Sequence, residues 1–374
     1  MREGGSGVST HMSSTSSLLS LGHAFLVGRT GSGKTTAMID LLVRQATCGR
    51  GIVFIDPHGD AAIDLERRLP RFRRNDVITI DPLNNSSPGL NPFARVSEAH
   101  RPIVVASLLA TMKKVFASAW GHRTEQLLRG AFAAVVEVRG ATLEDVARML
   151  FDDRHRAWVL RQVKDPATRR FWTEEVPQYS KQLLAEAIAA PLNKLGAVMG
   201  DPRVRHVLTK NRPRFDWAHA LARNAIVIVR LPKGLLGELN VSVLGSFVLG
   251  SVQAALLRRA ETEQNGRPPC VVAVDEFWNF APEPITELLS EGRKYGLSLV
   301  LACQSISLLE PRLRSSVLAN ADLVCFRVSG EDAEVLAPEF ANEYGPTSLT
   351  SLALGEAVAR IGPERARVVR FPPP

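Results

Sequence analysis

Short apolar runs alternate with amphipathic stretches in the first quarter of the chain. The runs His23–Val27, Gly51–Ile55 and Val77–Ile80 are typical of buried strands, and the residues between them are spaced as in helices. Alternation of strand and helix is the pattern of a sheet whose strands run parallel, with helices on its faces. We therefore predict an α/β fold built on a mainly parallel central sheet.

From about residue 96 to about residue 222 the apolar residues recur at helical spacing, as in Leu127, Leu128, Phe132 and Val135, and strand-like runs are absent. The strand-and-helix pattern then resumes. The later strands are predicted at Ala225–Val229, Val271–Val274, Leu297–Ala302, Leu323–Val328, Ala357–Ile361 and Val368–Phe371. Helices are predicted at 235–260, 284–294 and 331–337.

These patterns predict three parts. Residues 1–20 are rich in Gly, Ser and Thr and are predicted to form a disordered polar tail. Residues 21–95 and 223–374 together form the α/β domain, and residues 96–222 form an all-helical domain inserted into it. The apolar stretch from Leu235 to Leu257 has the length of a membrane span but carries several polar residues, so we interpret it as a buried helix.

Charge and cysteine content narrow the class of protein. The chain of 374 residues has a formal net charge of +8 and a pI of about 9.6, which favours a polyanionic partner such as nucleic acid. The four cysteines are scattered without metal-ligand spacing. We therefore expect a reduced, cytoplasmic protein without a disulfide framework or a zinc site.

The segment Gly28-Arg-Thr-Gly-Ser-Gly-Lys-Thr35 matches the phosphate-binding P-loop, between a predicted strand and a predicted helix. Glycines let the backbone turn its N–H groups toward the phosphates of a nucleoside triphosphate. Lys34 is expected to reach the β- and γ-phosphates, and Thr35 to hold Mg²⁺. The predicted ATP-binding residues are Gly28, Thr30, Gly31, Ser32, Gly33, Lys34, Thr35 and Thr36.

Two carboxylates follow the apolar run Val271–Val274. In P-loop proteins an Asp at such a strand end helps to hold Mg²⁺, which makes Asp275 the second metal residue. Glu276, directly after it, is placed to orient or deprotonate the attacking water. The pair therefore predicts hydrolysis of ATP.

Two further residues are candidates on position alone. Gln304 ends the next predicted strand and could contact the γ-phosphate and relay its loss, although a polar strand-end residue is an equal alternative. Arg293 could act as an arginine finger toward a neighbouring subunit. A cation near a helix C-terminus ahead of Gly296 is the simpler reading of Arg293 from spacing. His58 is interpreted as a turn residue.

The chain resembles the conjugative coupling-protein ATPases of type IV secretion systems, in the FtsK–HerA branch of P-loop motors. The motifs that carry the resemblance run in family order from about residue 23 to about residue 340. Besides the P-loop and Asp275-Glu276-Phe277 they are Asp56-Pro57-His58-Gly59-Asp60, Gly89-Leu90-Asn91-Pro92, Ala119-Trp120-Gly121-His122-Arg123, Leu231-Pro232-Lys233-Gly234 with Gly237, Glu291-Gly292-Arg293-Lys294-Tyr295-Gly296, Gln304, and Phe326-Arg327-Val328 with Glu331-Asp332-Ala333.

The resemblance implies a RecA-like motor that forms a ring, usually a hexamer, with ATP between subunits and DNA in the central channel. It implies that Arg293 acts as a trans finger, that Gln304 is a sensor, and that the helical insertion helps to recognise the transfer substrate. The expected partners are DNA, single- or double-stranded, and a relaxase or a secretion-system component. Family members commonly carry transmembrane helices before the motor, whereas about twenty polar residues precede the first strand here.

The chain is therefore expected to be cytoplasmic or peripheral at the inner face of the cell membrane, as a soluble variant, as a fragment, or anchored by a partner. The leading hypothesis is an ATP-driven DNA translocase. One alternative is a HerA-like motor for DNA-end processing, against which the helical insertion argues. Another is a nucleotide-gated docking module for a secreted substrate, against which Glu276 argues.

Overall fold

The computed structural model describes residues 22–210, 215–261, 263, 266–341 and 343–371. The polar tail predicted for residues 1–20 and the last three prolines lie outside the described residues.

A nine-stranded sheet forms the centre of the molecule. Its strands are β1 (His23–Val27), β2 (Gly51–Asp56), β3 (Val77–Ile80), β4 (Ile226–Arg230), β5 (Cys270–Val274), β6 (Leu297–Cys303), β7 (Ala321–Cys325), β8 (Glu356–Arg360) and β9 (Arg367–Arg370). Their order across the sheet is β3-β4-β2-β5-β6-β1-β7-β8-β9. The first seven pair in parallel, and β8 and β9 add an antiparallel edge. The predicted α/β fold with a mainly parallel sheet is confirmed.

Helices cover both faces of this sheet. In chain order they are α1 (Lys34–Thr47), α2 (Asp60–Arg68), α3 (Arg101–Val115), α4 (His122–Val135), α5 (Leu143–Phe151), α6 (Asp153–Leu160), α7 (Pro166–Arg170), α8 (Lys181–Met199), α9 (Pro202–Thr209), α10 (Trp217–Ala222), α11 (Lys233–Leu236), α12 (Glu238–Leu257), α13 (Pro282–Glu291), α14 (Pro311–Asn320), α15 (Gly330–Leu336) and α16 (Pro346–Thr350).

The central strands are apolar along their whole length because both faces of the sheet are buried. In β1, Phe25 and Val27 belong to a large hydrophobic core on one face, and Ala24 and Leu26 belong to a second core on the other. Helices α1 and α2 contribute to the second core, whereas α12 and α13 contribute to the large one. A strand buried on both faces has a continuous apolar sequence, and this feature predicted β1 from the sequence.

The described residues between 96 and 222 contain helices and no strand, as predicted. Helix α3 of this segment packs against α12, and their close approach depends on Gly250, where a Cβ would lie 1.8 Å from Ser107 Oγ. The apolar side chains of the segment join the large core below the sheet. The helical segment is thus continuous with the sheet's core, and its standing as a separate domain stays a prediction.

Within the described residues, helix α12 lies in the one stretch whose length and apolar composition would suit a membrane span. The stretch Glu238–Ala260 is long and apolar enough to cross a bilayer, but 72% of its most apolar window is buried inside the protein. Burial against α3 and the sheet accounts for its composition, since a helix enclosed on all sides is apolar all round.

Several predicted boundaries shift by one to three residues in the structure, and two of these shifts have a clear physical cause. The strand predicted at Leu323–Val328 ends at Cys325, because the backbone then leaves the sheet and Arg327 O accepts a hydrogen bond from Arg29 N at 2.8 Å. The helix predicted at 284–294 ends at Glu291 and continues as a short 3₁₀ turn to Tyr295, with Gly296 in the left-handed region at φ 75°.

Candidate functional site

The predicted site residues other than Arg293 lie at the carboxyl ends of the central strands, where ligands of parallel sheets bind. The P-loop follows β1, Asp275 and Glu276 follow β5, and Gln304 follows β6. Together they border a cleft of about 670 Å³. The residues lining it are Thr30, Gly31, Gly33, Lys34, Thr35, Thr36, His58, Lys233, Asp275, Glu276, Trp278, Asn279, Gln304, Leu354, Gly355 and Phe371.

The P-loop requires glycine at different positions for two different structural reasons, backbone conformation and close packing. Gly31 and Gly33 adopt φ values of 76° and 104°, a region that glycine enters without strain. Gly28 is closely packed, since a Cβ on it would lie 2.6 Å from the Cβ of Phe326. Gly28 and Ser32 do not line the cleft: Ser32 is buried, and its carbonyl accepts a hydrogen bond from Gly355 N at 3.1 Å. These two residues therefore shape the loop from behind.

Lys34, the first residue of α1, is held inside the loop. Its Nζ donates to Gly28 O at 2.6 Å and to Arg29 O at 3.2 Å. Burial lowers the pKa of this ammonium, and the carboxylates of Glu276 and Asp275 act in the opposite direction. A cation desolvated among backbone carbonyls interacts strongly with an incoming anion, because the local dielectric is low.

Thr35 and Asp275 come from distant parts of the chain and meet at the base of the cleft. Thr35 Oγ1 lies 3.3 Å from Asp275 Oδ2. Hydroxyl and carboxylate oxygens are ligands that Mg²⁺ prefers, so Thr35 would hold a magnesium ion and Asp275 would help to hold it through the ion's water shell. Asp275 is 3% exposed, and burial, followed by the nearby carboxylates of Glu276 and Asp56, raises its pKa to about 6. A carboxylate under that repulsion favours a cation beside it.

We expect Asp275→Asn to stabilise the nucleotide-free protein at pH 7.5. A pKa raised from 3.8 to about 6 corresponds to about 3 kcal/mol that the wild type loses as the pH rises from about 4 through about 6. Chemical unfolding of both proteins across this range measures the effect. The gain should shrink toward pH 4, and an equal gain at pH 4.5 and pH 7.5 would contradict it. The exposed Asp153 is the control, where Asn should change unfolding little.

Glu276 has an unusual backbone for a non-glycine residue, with φ 44° and ψ 48°. Its N–H donates to Asp275 Oδ1 at 3.0 Å, and its carbonyl accepts from Asn279 Nδ2 at 2.8 Å. Its side chain accepts from Trp278 Nε1 at 2.7 Å. Backbone strain of this kind persists only where the surroundings enforce it, and it concentrates at functional sites.

Gln304 also reaches the cleft. Its Oε1 accepts a hydrogen bond from Thr30 Oγ1 at 3.2 Å, which links the end of β6 to the P-loop. A side chain in this position bridges two strand ends across the phosphate-binding loop.

Arg293 is not part of this cleft. Its Nη2 donates to Asn320 O at 3.2 Å, next to the start of β7, whereas the P-loop follows the end of the neighbouring β1. The five residues of β1 span four steps of about 3.3 Å, which separates the two ends by about 13 Å. Arg293 therefore lies at the amino ends of the strands, opposite the cleft at their carboxyl ends, and is exposed there.

Some cleft residues were missed at the level of sequence. Trp278 and Asn279 lie two and three positions after Glu276, and this closeness in sequence was the available signal. Lys233 lies in the Leu231-Pro232-Lys233-Gly234 motif, whose sequence alone indicates no role for the lysine. Leu354 and Phe371 had no signal in the sequence, because the turn before β8 reaches the P-loop only through tertiary contacts. Gly355 N donates to Ser32 O at 3.1 Å, and Phe371 N donates to Gly355 O at 2.9 Å.

Solved structures show a close likeness in fold. The unbound bacterial conjugative coupling protein TrwBΔN70 superposes with a TM-score of 0.69 at 15% identity, covering 94% of this chain and 84% of that one. TrwB in complex with ADP and Mg²⁺ gives 0.68 at 16% identity, covering 93% and 84%. VirB4 of Thermoanaerobacter pseudethanolicus gives 0.67 at 15% identity, covering 94% and 90%.

Comparison of the sequence with known proteins identifies the family, which the likeness in fold does not. The chain is 21% identical over 373 residues to the type 4 coupling protein DotL of Legionella pneumophila, covering 82% of this chain and 47% of DotL. The chain thus spans about half the length of that relative. The profile of the family described as type IV secretion-system coupling protein DNA-binding domain matches residues 14–317. With most of its length matched by this profile, the chain belongs to the type IV secretion-system coupling protein family.

Proposed function

We propose that this chain is the ATP-hydrolysing motor of a type IV coupling protein, which moves DNA or a DNA–protein complex during conjugative transfer or secretion. The observation that carries the proposal is the convergence of Lys34, the Thr35–Asp275 pair and Glu276 in one cleft. That set combines a triphosphate cradle, a metal position and a base for water. The test is turnover of ATP by the purified chain with and without DNA.

ATP and Mg²⁺ are the ligands that this cleft suits, and TrwB has been solved with ADP and Mg²⁺. Lys34 binds the β- and γ-phosphates, and the N–H groups of the P-loop bind their oxygens. Thr35 and Asp275 hold Mg²⁺, which when bound neutralises charge on the β- and γ-phosphates. The side chains of Leu354 and Phe371 supply an apolar wall for the adenine ring of ATP.

Glu276 is the proposed general base. A water molecule attacks the γ-phosphorus, the bond from that phosphorus to the β–γ bridging oxygen breaks, and the proton of the water passes to the Glu276 carboxylate. Gln304, hydrogen-bonded to Thr30, is the proposed sensor of the γ-phosphate. Loss of that group changes the contacts of both side chains, which transmits the step to the end of β6.

The proposed polymer substrate is DNA. The formal net charge of +8 favours a polyanion, and contacts to a phosphate backbone are largely independent of sequence. We propose a homo-hexameric ring as the working assembly, with a relaxase or secretion-system component as a further partner. Its place is the cytoplasm, or the inner face of the cell membrane through such a partner.

Arg293 is the proposed finger in trans. Because Arg293 lies at the amino ends of the strands, remote from the cleft of its own subunit, it can reach only the nucleotide of a neighbouring subunit. We expect Arg293→Ala and Glu276→Gln each to lose most turnover, by about a thousandfold for a finger. Mixed in equal amounts, they should regain turnover, since about a quarter of the interfaces then combine an intact arginine with an intact glutamate.

The exposed neighbour Lys294, paired with Glu291, provides the control. Lys294→Ala should keep its turnover and should not complement Glu276→Gln better than the wild type does. Assembled mixed rings without recovered turnover would count against the trans finger.

The docking module for a secreted substrate is the second candidate, and the helical segment would then be its working surface. Steady turnover that is indifferent to DNA would favour a protein substrate, and ATP binding without turnover would favour the docking module. Co-purification with a nuclease would favour the DNA-end-processing motor.

A further inference from the structure

The carboxylate of Glu276 is held on one side by an indole. Trp278 Nε1 donates to Glu276 Oε2 at 2.7 Å, a short distance typical of a hydrogen bond to an ionised oxygen. Both side chains line the nucleotide cleft. Within the described part of the chain, Oε1 has no such bond, so the two oxygens of this carboxylate are not equivalent.

The rest of Glu276 is equally constrained. Its N–H is bonded to Asp275, its carbonyl accepts from both the N–H and the Nδ2 of Asn279, and its φ of 44° is one that a glutamate adopts only when forced. The backbone therefore fixes the direction in which the side chain leaves, and the indole fixes its far end. Rotation of the carboxylate is what the Trp278 bond removes.

The indole itself is fixed by the Leu231-Pro232-Lys233-Gly234 segment. The Lys233 ammonium lies 5.7 Å from the centre of the Trp278 ring, as in a cation–π contact. Lys233 Nζ also pairs with Glu238 Oε1 at 3.3 Å, and Lys233 N donates to Pro57 O at 2.9 Å. These contacts connect the indole to the ends of β2 and β4.

We propose that Trp278 is a positioning residue for ATP hydrolysis: by binding Oε2 it presents Oε1 of Glu276 to the attacking water. The inference rests on the proposed hydrolysis and adds a residue to it. Trp278 transfers no proton and acts only through Glu276. Its contribution therefore falls on the chemical step and not on the binding of ATP.

The test is Trp278→Phe, which keeps an aromatic ring beside Lys233 and removes the N–H. We expect kcat to fall about tenfold, the size of a lost hydrogen bond to a charged group. The KM for ATP, the affinity for a non-hydrolysable ATP analogue and the thermal unfolding midpoint should stay as in the wild type. Trp120→Phe is the matched control, because Trp120 Nε1 donates to Glu125 Oε2 at 2.9 Å outside the cleft; its DNA-free turnover should be unchanged.

A double-mutant cycle separates positioning from general support of the fold. Glu276→Asp keeps a carboxylate but is one methylene shorter, so it no longer reaches the indole. In that background Trp278→Phe should reduce kcat less than about twofold. A full tenfold loss there, a loss confined to KM or analogue affinity, or an unchanged kcat in the single variant would each overturn the proposal.

Different outcomes would overturn the positioning role of Trp278 and the proposed hydrolysis of ATP. If the unmodified chain hydrolyses ATP and Trp278→Phe hydrolyses it equally fast, the positioning role falls and the proposed function stands. If the unmodified chain binds the ATP analogue but shows no turnover with or without DNA, the proposed hydrolysis falls, and the positioning role falls with it.

Discussion

Glu276→Gln is expected to bind ATP and Mg²⁺ but to turn over at least about a hundredfold more slowly than the wild type, since general base catalysis contributes about 10² to 10⁴. Glutamine keeps the size of the side chain and can still accept the Trp278 hydrogen bond, but it cannot take the proton of the attacking water. Loss of activity should therefore be confined to kcat. Steady-state hydrolysis together with titration of a fluorescent ATP analogue measures both quantities.

Glu283→Gln provides the control for this prediction. Glu283 lies seven positions after Glu276, in the first turn of α13, and its side chain is exposed and does not line the cleft. The Glu283→Gln variant should hydrolyse ATP as the wild type does. If Glu276→Gln retained most of the wild-type kcat, a different group would have to activate the water, and the reading of the Asp275-Glu276 pair as a hydrolytic site would be wrong.

Lys34→Met is expected to abolish measurable nucleotide binding at concentrations that saturate the wild type. Lys34 is the buried ammonium of the P-loop, and its loss removes the principal counter-charge of the triphosphate from a site of low dielectric. Methionine matches the length of the side chain, so the packing of α1 should survive.

Thermal unfolding with and without ATP and Mg²⁺ reports this binding, because a ligand of the native state raises the unfolding midpoint. The wild type should gain stability on addition of the ligands, and Lys34→Met should not. Lys181→Met, which removes an exposed ammonium at the start of α8, is the control and should gain stability as the wild type does. An equal gain in Lys34→Met would place the nucleotide elsewhere.

The local features of the site could be predicted from the sequence because their determinants are local. The P-loop needs glycines where φ is positive, and Gly31 and Gly33 take those values. A strand that is apolar from end to end, followed by two carboxylates, indicates the edge of a buried parallel sheet, and Asp275 lies there. The pairing of Thr35 with Asp275 across the cleft also followed, because all parallel strands end at the same edge.

Other parts of the site depend on contacts between distant segments. The turn at Leu354-Gly355 packs on Gly33, where a Cβ would lie 3.2 Å from the Gly355 Cα. No local pattern in the sequence encodes that approach. The role of the indole next to Glu276 was likewise invisible, because it depends on a left-handed backbone at a residue that ordinarily avoids it.

The comparisons also separate fold from function. The superpositions on a TrwB coupling protein and on VirB4 have almost equal TM-scores, 0.69 and 0.67, at 15% identity each. A fold shared at that level hosts more than one activity. The family profile over residues 14–317 identifies the family, which a shared fold at this identity does not.

The measurement that tests the central claim most directly is ATP hydrolysis by the purified chain alone and with single- or double-stranded DNA, with Glu276→Gln alongside and particle size followed in ATP. The account predicts turnover that DNA stimulates, that disappears in Glu276→Gln, and that accompanies ATP-dependent rings. Turnover unaffected by either form of DNA, or ATP binding without turnover, would contradict a DNA motor.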